Sequence, residues 1–143
     1  MMAEDAVGYF LAAKKTVAGE GPVQIIAHYR MPFNFLLGQC CELALKAMLV
    51  SKGWDRKRLN PIRHDLVGLL AEAKKEGFAT TSDFDEYCRI MGDAHRDFDF
   101  RYSGHASPPW IGHDDAIQML EPQIRAIAPF GMPITGVPDV VFS

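Results

Sequence analysis

Pro32-Phe-Asn-Phe-Leu-Leu-Gly-Gln-Cys-Cys-Glu-Leu-Ala-Leu-Lys-Ala-Met-Leu-Val-Ser-Lys-Gly53 is the stretch whose pattern decides the fold. Pro32 suits the first turn of a helix, where its missing N–H would have no partner anyway. Phe33, Leu36, Cys40, Leu43, Ala47 and Val50 then recur at helical spacing. Leu37, Cys41, Ala44 and Met48 form a second apolar stripe beside the first. A helix apolar over so much of its girth belongs inside a bundle, touching neighbours on two sides. Gly53 is placed to end it. Asn34, Gln39, Glu42 and Lys46 interrupt the apolar run, which weighs against a membrane span.

Outward from this element the chain divides into further helices. One is expected from about Glu4 to Val17, with Val7, Phe10, Leu11 and Lys14 at helical spacing and Gly19 and Gly21 beyond it. The connector from Gly21 to Arg30 reads equally as a strand or a short helix. Trp54 to Asn60 reads as a polar loop. A third helix is expected from about Arg63 to Lys75, with Leu66, Leu69, Leu70 and Ala73 inward and Gly77 as its stop. Thr81, Ser82 or Asp83 is suited to cap a fourth, which carries Phe84, Tyr87, Cys88, Met91 and Ala94 or His95 towards Phe100. A fifth is expected from about His113 to Ala128, opened by Asp114 and Asp115 and containing Pro122. Pro129, Gly131, Pro133, Gly136 and Pro138 make residues 129–143 an extended arm. The expected fold is an all-α, antiparallel four- to five-helix up-and-down bundle over residues 1–128.

The bulk numbers fit one domain. A chain of 143 residues buries a sizeable core without staples, and 48% hydrophobic against 23% charged residues is a folded composition. A net charge of −3 gives no overall attraction to nucleic acid or an acidic membrane, so any anion site has to be local. Three cysteines, two of them adjacent, define no disulfide framework, and a cytoplasmic location is expected. No His-x-x-x-His or Cys-x-x-Cys spacing and no glycine-rich phosphate loop occurs, so neither a metal site nor a cofactor is expected.

Four local strings stand in a telling order: Glu42-Leu-Ala-Leu-Lys46 in the central helix, Arg63-His64-Asp65-Leu66 before Leu69-Leu70, the stop at Gly77, and Phe100-Arg101-Tyr102. Together, over roughly Pro32 to Tyr102, they resemble the HEPN family. The resemblance implies a helical bundle that pairs as a homodimer and is often encoded beside a minimal nucleotidyltransferase, as in toxin–antitoxin pairs. Active HEPN members are metal-independent ribonucleases using an Arg, four to six residues, then His. Others lack that motif and bind nucleotides, RNA or protein partners.

Metal-free RNA cleavage needs a histidine base and a permanent cation near the phosphate, which explains the Arg/His pairing. Arg89 to His95 and Arg58 to His64 have the required spacing, and the family's site lies late in the bundle, which selects Arg89 and His95 as the catalytic candidates. Ile90 follows the arginine where the family has a polar residue. A six-residue helical step also separates the two side chains by about 120°. Asp83, Asp85, Glu86, Asp93, Asp97 and Asp99 make that helix acidic, which repels RNA.

Glu42 and Lys46 stand one turn apart in the favourable order, on a helix apolar nearly all round. Such an enclosed pair needs further partners, and His64, Asp65 and Arg101, with Tyr102 beside it, are the residues expected to form a polar cluster with it. The alternative role for Asp65 is a helix cap. The basic run Lys52, Arg56, Lys57, Arg58 and Arg63 reads as a solvated loop or, with Trp54, as a stacking surface for a ligand. The expected function is therefore a HEPN-like, non-enzymatic binding or regulatory module acting with a protein partner, a nucleotide or RNA, with no membrane association. The alternative is a toxin-type ribonuclease built on Arg89 and His95 from two subunits.

Overall fold

The structure, a computed structural model, describes residues 2–17, 30–97 and 111–127. Six helices lie among them: α1 (Met2–Val17), α2 (Arg30–Ser51), α3 (Arg56–Leu59), α4 (Leu66–Lys75), α5 (Ser82–Arg96) and α6 (His113–Ile127). The described residues contain no strand, and neighbouring helices pack antiparallel. The fold is an all-α helical bundle. Expectations for the connector before Arg30, for Arg101 and Tyr102, and for the arm at 129–143 lie outside the described residues.

The inner helix is α2, which packs against α1, α4, α5 and α6. Its burial goes further round than the two apolar stripes require: Leu45 and Leu49 are fully enclosed with Leu37, Cys40, Cys41 and Ala44, and so is Asn34. Val50 is 44% exposed instead, in line along the helix with the half-buried Leu36 and Leu43, while its neighbour Leu49 stays enclosed. Pro32–Ser51 is long and apolar enough to cross a membrane by length and composition, yet two thirds of it, 67%, is buried inside the bundle. An inner bundle helix has both properties.

The other helices face inward as their periodicity dictates. Phe10 of α1, Leu66 and Leu69 of α4, Phe84, Tyr87 and Met91 of α5, and Leu120 and Ile124 of α6 are all enclosed. Each such apolar side chain contributes about 1.5–3 kcal/mol by leaving water.

Helix ends follow local chemistry. Gly53 and Gly77 both take φ +91°, which a residue with a Cβ rarely adopts. At each, the paired terminal bonds close the helix: Gly53 N–H to Val50 O and Trp54 N–H to Leu49 O, then Gly77 N–H to Lys74 O and Phe78 N–H to Ala73 O. Two expectations change. The loop at Trp54 to Asn60 contains α3, capped by Asp55, whose carboxylate accepts from Arg58 N–H. The helix expected from Arg63 starts at Leu66, because Asp65 turns its carboxylate onto the Gly68 N–H at 3.0 Å and so occupies the cap itself. Among the three candidate caps for α5, Thr81 is the one used.

Candidate functional site

Glu42 lies on the side of α2 that faces the end of α5 and the turn leading into α4. That turn reverses at Arg63, whose φ of 53° is left-handed and costs a non-glycine residue about 1–2 kcal/mol. Past the reversal, His64 lies against α2 and Asp65 caps α4. His95 comes in from the last turn of α5, where its side chain is only 3% exposed.

Three donors meet on this one carboxylate. His64 Nδ1 is 2.8 Å and His95 Nε2 2.9 Å from Glu42 Oε1, while Lys46 Nζ is 2.8 Å from Oε2. The two imidazoles stand nearly perpendicular, with ring centroids 6.2 Å apart. Burial alone would push the Glu42 carboxyl up. The hydrogen bonds from His95, Lys46 and His64, with the charge of Lys46, outweigh it and bring the pKa down to about 2. Glu42 is therefore an ionised, acceptor-only group. Both imidazoles must donate to it, His64 through Nδ1–H and His95 through Nε2–H.

Gly38, one turn before Glu42, makes this approach possible. A Cβ built there would overlap His95 Nδ1 and stand 3.0 Å from His95 Cγ and Cε1. Gly38→Ala should gain up to about 1 kcal/mol of helix propensity. The overpacking costs about 1–3 kcal/mol and prevails, because the neighbour is a buried ring held on its far side. The expected result is a lower urea midpoint, together with changed ring ¹⁵N shifts for His95.

The other sequence-derived candidates fall elsewhere. Arg89 points to solvent and forks onto Glu86, its side chain 68% exposed, so the helical step separates it from the interior His95. Asp65 serves as a cap. Arg101 and Tyr102 lie outside the described residues. Trp54 is buried, donates its indole N–H to Glu76 at 3.1 Å and is covered by the Arg58 guanidinium at 3.7 Å, so its face is not open to a base. Lys52, Arg56, Lys57, Arg58 and Arg63 around it are exposed.

Sequence reasoning placed His95 on the inner face or in a catalytic pair, and missed its partnership with Glu42. The only signal was an imidazole and a carboxylate on the inward faces of two helices packed together. The expectation of no metal site rested on short spacings within one segment, whereas Glu42, His64 and His95 come from three segments and bring their donor atoms within 4.8 Å of one another. No family model, no curated protein and no solved structure matches the chain.

Proposed function

We propose that this protein is a HEPN-like binding or regulatory module that acts without RNA cleavage, working with a partner protein, a nucleotide or RNA. The observation that carries this is the position of His95. A base for a ribose 2′-hydroxyl has to come within about 3 Å of it. The His95 imidazole is instead enclosed and donates to Glu42. Its sequence partner Arg89 is on the outer surface, neutralised by Glu86. The bundle thus uses the histidine to join α5 to α2. The exposed basic turn around α3 supplies a local anion-binding face that the net charge of the chain does not. Homodimerisation and a nucleotidyltransferase-type partner belong to the same proposal and rest on the resemblance alone.

Incubation of the purified chain with structured and unstructured RNA in EDTA provides the test. No cleavage is expected, even at high protein concentration. Cleavage by the wild type that His95→Ala or Arg89→Ala abolishes, with the fold retained, would overturn the proposal in favour of a ribonuclease.

A further inference from the structure

We infer that Glu42, His64 and His95 form a binding site for one first-row transition-metal dication of the zinc type. The inference is independent of the binding-module proposal, since an ion can sit here whether or not the protein engages RNA or a partner.

The donor set comes first. Two imidazole nitrogens and one carboxylate oxygen suit zinc and its neighbours, and such sites leave positions open for solvent or a further ligand. Calcium and magnesium prefer all-oxygen shells and do not fit these donors.

The geometry agrees. Metal bonds of about 2.0–2.2 Å place adjacent ligand atoms roughly 2.9–3.4 Å apart around one ion. Glu42 Oε1 already stands 2.8 Å from one imidazole nitrogen and 2.9 Å from the other, and all three donors lie within 4.8 Å of one another. The ion needs each ring nitrogen to draw back from Oε1 by a few tenths of an ångström, and the two nitrogens, which lie within 4.8 Å of each other, to come to about 3.4 Å or less. His64 is the more accessible of the two imidazoles, its side chain being 34% exposed against 3% for His95.

The surroundings have the form of a supported metal ligand. Lys46 holds Glu42 Oε2, leaving Oε1 for the ion, and carboxylate ligands are commonly fixed by such an outer hydrogen bond. Each imidazole meets the carboxylate through the nitrogen that would bind metal. On binding, the metal takes the place of the proton on that nitrogen, the proton passing to the other ring nitrogen or to solvent, so that the bound rings carry His64 Nε2–H and His95 Nδ1–H. The bound ion would tie α2, α5 and the turn before α4 together, so folding and binding are linked.

The test uses the tag-free full chain, stripped with EDTA and desalted, then titrated with Co²⁺ at about 100 µM protein, followed by Zn²⁺ competition. One equivalent of Co²⁺ is expected to bind with visible d–d absorption. Zn²⁺ should displace it, and either ion should raise the melting temperature. His64→Ala, a change at a half-exposed side chain, should keep the fold by circular dichroism and weaken Co²⁺ binding at least tenfold. His95→Gln should do the same; should it unfold the chain, His64→Ala decides. Absence of stoichiometric Co²⁺ binding by the wild type would overturn the site. So would undiminished binding by folded His64→Ala, which would assign the ion to other histidines of the chain.

Discussion

Glu42→Ala should destabilise the metal-free protein by about 3–5 kcal/mol, the range for removing one partner from a buried charge pair. The cost does not measure how much the pair adds to stability. It comes from what stays behind: the Lys46 ammonium, its side chain 17% exposed, and the enclosed His95 N–H, both left without their acceptor. Glu42→Gln should cost less, because its amide oxygen can still accept from one imidazole, although the charge that Lys46 faces is gone. Urea unfolding of the three proteins gives the order directly. Glu42→Ala within about 0.5 kcal/mol of wild type would mean that the carboxylate is solvated and the cluster does not exist.

Acid should remove a comparable amount. The Glu42 carboxyl is held down to about 2 in the folded state against 4.5 for an unperturbed glutamate. A carboxyl whose folded pKa is depressed contributes stability above its unfolded value and loses it as pH falls towards the folded value. The window is therefore pH 4.5 down to about 2, and the amount at stake is about 3 kcal/mol at about 1.4 kcal/mol per pKa unit. Urea midpoints of the EDTA-treated protein at pH 5, 4 and 3 should fall steadily through this window. Glu42→Gln should show a flatter dependence, retaining only what the other carboxylates contribute. Parallel slopes for the two proteins would assign the acid sensitivity to groups other than Glu42.

Much of the fold is legible in the sequence because its signals are local and repeat. The apolar stripes of α2 require neighbours on several sides, and the bundle supplies them through α1, α4, α5 and α6. Gly53 and Gly77 mark helix ends through a backbone conformation that other residues resist. The short helix α3 is not legible in this way. Four residues show no periodicity, and its one cue, the cap at Asp55, also fits a turn. The start of α4 was misplaced by three residues because Arg63 resembles a first-turn residue until Asp65 is seen to occupy the cap.

The site was legible in halves. Glu42 and Lys46 stand out because a charged pair on an apolar helix needs an explanation, and His64 stands out by its place beside the cap. His95 could be put on the inward face of α5, but not onto Glu42. The carboxylate lies 53 residues earlier, and only the packing of α5 on α2, with the space left at Gly38, brings the two together. For the same reason, a donor set drawn from three segments escapes any search for short metal-binding spacings. The Arg89–His95 spacing, conversely, is present in sequence while the helix turns the two side chains towards solvent and core.

The measurement that bears most directly on the shared carboxylate is the protonation pattern of its two imidazoles. Long-range ¹H–¹⁵N correlation spectra of the metal-free protein at neutral pH report which ring nitrogen carries the proton. An ionised carboxylate oxygen only accepts, so Nδ1 of His64 and Nε2 of His95 should each carry a proton, with both patterns perturbed in Glu42→Gln. Two rings showing the mixed tautomers of solvent-exposed histidine, unchanged by Glu42→Gln, would contradict the account.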